Sequence, residues 1–335
     1  MFMQTRQRHV QIHHTKKELQ YKWHMEDMIV KIFHNFTKDM HKKRFDFIFI
    51  TSHNRMDNYG NLDDLYGYSL KVFKGEEIGR TGQTPKDPHV AGLNISTEIT
   101  PPTSGTSLQK ITYMDDAVFD QWTSSTPTDS IINHPTVERV DNNALENSFV
   151  YHLEIHNNAS NDTDNNTYKN RWRWALNHGA YYSGIASDDA HGYNGIGNAW
   201  IVVKSPSSSA KDIVDALNLA GWGEDITSYY ASTGVVVENY LFNSSSKTLR
   251  VEVRTDDNNA DQVRFKAKKT NGKYKSNLLT VTDNDSNDKC SEVGLICAEY
   301  QINSNIYWIR PVVTDNDQPS PWKAWLQPWH RDYQW

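Results

Sequence analysis

Cysteine is almost absent from this chain of 335 residues, with only Cys290 and Cys297 present. That excludes a disulfide-dense scaffold and a structural zinc site built from four thiolates, and it leaves the two thiols to pair or to stay reduced. No apolar run is long enough to span a bilayer, and Met1–His9 has no apolar stretch of signal-peptide length. The expectation is therefore a soluble protein without membrane insertion, cytoplasmic or associated with a virion or cell surface. An excess of positive charge is also missing: 35 Lys and Arg face 41 Asp and Glu, a net charge of -6 with the signs interspersed. Nothing resembles the basic stripe that grips a nucleic-acid backbone, so no nucleic-acid partner is expected. A catalytic site for phosphate esters stays compatible with this surface, because bound metal ions would dominate its local field.

What is present alternates between two kinds of segment. Lys16 to Arg44 carries Leu19, Trp23, Ile29, Ile32, Phe33, Phe36 and Met40 at helical spacing, which predicts one long helix or two short ones. Phe45 to Thr51 follows as a β-branched and aromatic run of strand length, ended by Ser52-His53-Asn54. Ala199 to Val203 reads as another strand. It leads into a helix over Lys211 to Ala220, with serines before it to cap and Gly221 after it to stop. From about Gly234 the pattern becomes polar–apolar alternation, as in Leu249 to Arg254 and Gln262 to Ala267, with a further strand over Asn305 to Pro311. A first domain over 1–233 and a β domain over 234–335 are expected, and the Asn/Asp-rich stretch 157–170 reads as a solvated loop.

Polar residues beside apolar runs supply the potential metal ligands His13, His14, His53, Glu77, His89, Glu98, His134, Glu154, Asp189 and His191. Ser187-Asp188-Asp189-Ala190-His191-Gly192 is the most informative stretch. It sets a carboxylate and an imidazole two residues apart, a spacing that aims both the same way at a strand end. Such a pair suits a hard or borderline cation. Ligands so far apart in sequence meet only where a fold gathers them, as strand C-termini do at one face of a barrel.

The order of these segments resembles the PHP (polymerase and histidinol phosphatase) family of metal-dependent phosphoesterases. Ile12-His13-His14-Thr15 and Thr51-Ser52-His53-Asn54 are similar to the family's His-x-His-Thr and Thr-Asp-His-Asn. Gly75-Glu76-Glu77-Ile78 is similar to its Gly-x-Glu-Ile, and His89 before Val90 to Leu93 to the histidine opening the next strand. Asn133-His134-Pro135, Glu154-Ile155-His156-Asn157, Ser187 to His191, and Tyr230-Ala231-Ser232-Thr233-Gly234 look like the later motifs, in the family's order over roughly residues 10 to 240. Two positions depart from the pattern. Ile12 stands where the first histidine belongs, and Ser52 replaces an aspartate, removing a negative charge from the expected surroundings of the metals.

The resemblance implies a distorted, TIM-like (β/α) barrel followed by a small antiparallel β domain. It implies hydrolysis of a phosphate mono- or diester at a site of two or three divalent ions, zinc, manganese or iron. Glu77 would bridge metals. Asp189 with His14 and His13 would complete one position, His89 and His134 a second, and His53 with His191 a third, with Glu77, Asp189 and His191 closest to the chemistry. Ser52, Glu98 and Glu154 are further ligands or residues that orient them; Glu98 lacks a preceding glycine and reads as an exposed glutamate. By analogy, the partner would be a cell-envelope glycerophosphate polymer or a virion assembly partner, as in a phage tail. The competing expectation is a catalytically degenerate scaffold whose Trp-rich tail (Trp322, Trp325, Trp329 and Trp335) contacts carbohydrate or a structural partner. Ser52 and the compressed His13-His14 pair support it.

Overall fold

In the computed structural model the described residues are 7–9, 11–12, 45–56, 70–191, 195–255, 261–283, 285–290, 292, 294–316 and 321–333. The expected helix over 16–44, together with His13 and His14, lies outside them.

Strands dominate. The first sheet has seven strands in sequence order: β2 (Gln11–Ile12), β3 (Phe47–His53), β4 (Lys71–Ile78), β5 (His89–Leu93), β6 (Asp129–Asn133), β7 (His152–Asn157) and β8 (Ser183–Ser187). β3, β5, β6 and β8 are runs of buried residues, as strands covered on both faces must be. All neighbours run parallel except around β5, which is antiparallel to both β4 and β6. The carboxyl ends of β3, β4, β6, β7 and β8 therefore line one edge of the sheet, and the reversed β5 brings its first residue, His89, to that same edge.

The second sheet runs β1 (Gln7–His9), β9 (Trp200–Val203), β10 (Tyr229–Ser232), β17 (Trp322–Leu326), β16 (Ile306–Asp315), β13 (Gln262–Lys269) and β14 (Tyr274–Val281), with β18 (Trp329–His330) paired to β16. The third joins β11 (Asn239–Asn243), β12 (Thr248–Arg254) and β15 (Leu295–Gln301). Position 233/234 falls between β10 and β11, and the second sheet takes strands from both sides of it. Trp308, Val312 and Trp325 pack into one core with Phe47, Ile131 and Ile185 of the first sheet. Cys290 and Cys297 form a disulfide beside β15.

The TIM-like (β/α) barrel is not the architecture. Eighteen strands accompany only four α-helices among the described residues, and the seven-stranded sheet is open, with no pairing between β2 and β8. Such a barrel needs a crossover helix between successive parallel strands. Here β4 reaches β5 through residues 79–88, which include Pro85 and Pro88 and form coil, and every strand from β11 onward follows another strand without an α-helix. The local alternation of strand and helix around β9 was legible, but it does not extend to the whole chain.

The helices seal the first sheet. α1 (Ser107–Phe119) starts at a capping box of Thr106 and Gln109 and buries Ile111, Met114 and Val118. α2 (Asn142–Asn147) begins at Asp141, whose side chain accepts from Ala144 N. α4 (Ala210–Gly221) is capped by Ser209 and buries Ile213, Val214 and Leu217. The stretch 157–170 is not a loop: α3 (Asp162–His178) begins within it, capped by Asn161 and ended by left-handed Gly179. Its buried stripe of Asn165, Tyr168, Trp172, Ala175 and Leu176 keeps helical spacing, but the first turn is polar and hides the period. No described helix is long and apolar enough to cross a membrane.

His330 is fully buried, with edge contacts to Tyr181, Tyr307 and Tyr333. Burial holds its imidazole down to about 4, with Arg331 and Lys268 adding to the effect and Asp332 opposing it. Because the folded value lies below the ordinary 6.5, the unfolded chain binds the extra proton. Stability from this group is complete above pH 6.5 and is lost as pH falls toward 4. Urea unfolding should show a loss on the order of 2–3 kcal/mol from this group over that interval. His330→Phe should flatten the pH profile there; an unchanged slope would refute the assignment.

Candidate metal centre

The edge gathered by the first sheet carries most of the scattered ligands. His53 ends β3 in register with Glu77 of β4, so their side chains share a face. Glu77 is opposite Ala91 of β5, which places His89, two residues away, on that face as well. The ligand atoms of His53, Glu77 and His89 lie within 4.8 Å of one another. Glu77 Oε1 is the hub: His89 Nδ1 is 3.0 Å from it, His134 Nε2 is 3.1 Å away, and Asn133 Nδ2 donates to it at 3.3 Å. Gly79 makes room for this cluster, since a Cβ there would come within 2.3 Å of the His89 ring.

From His134 the network passes across β7 to β8. The buried Glu154 carboxylate accepts from His134 N at 2.7 Å and stands 3.0 Å from His134 Nδ1. It also accepts from Ser187 Oγ at 2.5 Å and from Asn157 Nδ2 at 3.1 Å. The Asn157 amide gives its other hydrogen to Asp189 Oδ2 at 3.0 Å, and that oxygen lies 3.9 Å from His134 Nε2. His191 is exposed; its Nδ1 donates to the Asp189 carbonyl at 2.9 Å, which fixes its lone pair on Nε2. Three of the five non-glycine residues with positive φ among those described, Asn54, His134 and Asp189, sit at these strand ends. Left-handed backbone costs about 1–2 kcal/mol per residue, and its concentration here marks the edge as built for something other than stability.

Both ring nitrogens of His134 face carboxylates. Burial works against its charged form, but Glu154 and Glu77 prevail and hold its pKa well above the ordinary histidine range. Glu154 shows the counterpart: burial pushes it up, and His134 outweighs that and keeps it below the usual carboxylate range. His89 is held differently. Arg139 Nη1 is 3.0 Å from its Nε2 and can only donate, so the His89 proton resides on Nδ1, toward Glu77.

Other expected residues fall elsewhere. Ser52 is buried opposite Glu76 on the face of β3 away from His53, so its missing charge is not missing from the cluster. Glu76 accepts from Ile99 N at 2.8 Å, and burial, opposed by that bond, raises its pKa to about 7. Glu98 is exposed and accepts from Met56 N at 3.2 Å, outside the cluster. Asp188, next to Asp189, is a structural anchor that accepts from the backbone of Gly197, Asn198 and Ala199. Sequence reasoning passed over Asn133 and Asn157, although both lie inside quoted motifs. Arg139 carried no signal in the sequence. No protein-family model matches this chain, and no curated protein matches it.

The donor set of imidazole nitrogens around one carboxylate oxygen is of the kind that can hold a borderline divalent cation. A cation at His134 Nε2 would displace its proton while Glu154 keeps Nδ1–H, the carboxylate–histidine arrangement that orients ligating imidazoles. Zinc binding should therefore release a proton near neutral pH and strengthen as pH rises, measurable by calorimetry in buffers of different ionisation heat. Arg139→Met should tighten zinc binding by freeing the His89 tautomer; weaker binding would refute the competition between Arg139 and the metal.

Proposed function

We propose that this protein is a metal-dependent phosphoesterase, a reading to which the PHP-like order of its motifs contributes. The single observation that carries the proposal is the sharing of Glu77 Oε1 between His89 and His134, with His53 in the same cluster and Asp189 joined to His134 through the Asn157 amide. Divalent ions of the zinc, manganese or iron class would supply Lewis acidity and lower the pKa of water at this edge.

The chain's own residues have separable tasks in this scheme. Glu77, His53, His89 and His134 would hold the cations, and Asp189 with His191 would extend the donor set from β8. Glu154 and Asn157 are positioning residues: one fixes the His134 ring and the other the Asp189 carboxylate. When His89 ligates, Arg139 would leave it and offer its guanidinium to a phosphoryl oxygen, a role its planar fork suits. His191 Nε2, kept as an acceptor by the bond from Nδ1, would offer its lone pair to a cation.

Purified protein loaded with zinc, manganese or iron should hydrolyse p-nitrophenyl phosphate or its bis-ester, and chelation should abolish turnover. Glu77→Gln should lower kcat/KM on the order of a hundredfold or more, and Asn157→Ala about tenfold to a hundredfold through misplaced ligands. Turnover indifferent to chelator and to Glu77→Gln would overturn the proposal.

A further inference from the structure

The face of the second sheet that packs against α3 carries an unusual load of cations. Register places Lys266 beside Arg310, Arg264 beside Val312, Val312 beside Trp325 and Lys323 beside Thr314, so Arg264, Lys266, Arg310, Lys323 and Trp325 share one face. From α3, Lys169 lies 5.6 Å from the Trp325 ring, and Arg173 lies 5.1 Å from the Tyr274 ring. Among the described residues no carboxylate forms an ion pair with any of these cations. Arg310 is the extreme case. It is 4% exposed, its guanidinium stacks 3.7 Å over Trp172, and Nε and Nη1 form no hydrogen bond. A cation–π contact offsets only part of the cost of burying an ion. Lys169 and Lys266 are held down to about 8, first by burial and then by neighbouring cations, including Lys323 and Arg310, with Asp162 opposing the shift at Lys169.

At one end this face opens into a cleft of about 480 Å³ whose lining includes two lysines and one carboxylate: His156, Asn158, Asp162, Lys169, Lys323 and Trp325. His156 and Asn158 flank Asn157, whose amide holds Glu154 and Asp189 of the metal centre. Trp322 is 40% exposed and offers an aromatic face at the rim. Among the described residues neither Lys169 nor Lys323 has an ion-paired carboxylate; Asp162 offsets part of their charge, and with the neighbouring amides the two lysines form a receptor for an anion.

We infer that this cleft binds a second phosphate group of the substrate, so that the protein acts on molecules carrying at least two phosphates. The substrate class rests on the phosphoesterase proposal; the anion site does not. The test uses the full chain stripped of metal by chelator and titrated with inorganic tripolyphosphate by calorimetry at low salt. Saturable binding is expected, weakened about tenfold or more by combined Lys169→Gln and Lys323→Gln and left within about twofold by Lys211→Gln, an exposed lysine outside the cleft. Unaltered affinity in the double lysine variant, or an equal loss in Lys211→Gln, would overturn the inference. Arg310→Met should keep or raise the urea midpoint while weakening tripolyphosphate binding; a lowered midpoint with unchanged binding would make Arg310 purely structural and count against the site. Failure of the hydrolase proposal would appear separately, as absent metal-dependent turnover with tripolyphosphate binding intact.

Discussion

The buried Glu154 carboxylate is the constraint on which the rest of the site depends. An ionised group with no exposure to water survives only if its oxygens are fully engaged, and this one receives the His134 backbone and ring, the Ser187 hydroxyl and the Asn157 amide. These partners come from the ends of β6, β7 and β8. One side chain therefore ties three strand ends together and aims His134 at Glu77. The reversed direction of β5 does the complementary work on the other side, carrying His89 to the same oxygen.

Two electrostatic environments stand side by side as a result. At the strand ends, carboxylates and imidazoles neutralise one another. Across α3, the second sheet presents cations that form no ion pair with a carboxylate among the described residues. Their separation explains how a chain of net charge -6 can still contain a cleft with an excess of cations: bulk charge averages over fields that are local in a low-dielectric setting.

The legibility of the sequence followed from how local each signal was. The strand at Phe47–His53, the helix at Ala210–Gly221 and the alternating strands β12 and β13 were visible because periodicity and caps are short-range. The start of α3 was hidden because amides and acids occupy its exposed first turn, and the barrel was expected from a motif resemblance, whereas the strand–helix alternation beside it stops at β10. Among site residues, Glu77, His89 and His134 were found through motif context, and the structure brings them together. Arg139 was not, since a guanidinium reaching His89 from fifty residues away leaves no periodic trace. The basic cleft was equally invisible: Lys169, Lys266, Arg310 and Lys323 are each unremarkable in sequence and are joined only by strand register.

The second sheet begins with β1 and β9 and is continued by β17 and β16, so strands from the first and last parts of the chain are hydrogen-bonded into one unit. Trp308 and Trp325 fill space inside the core of the first sheet. A nascent chain emerging from the ribosome thus carries an open hydrophobic face until β16 and β17 are synthesised. Assembly must await those strands, making high contact order and exposure to aggregation during translation inherent to this topology.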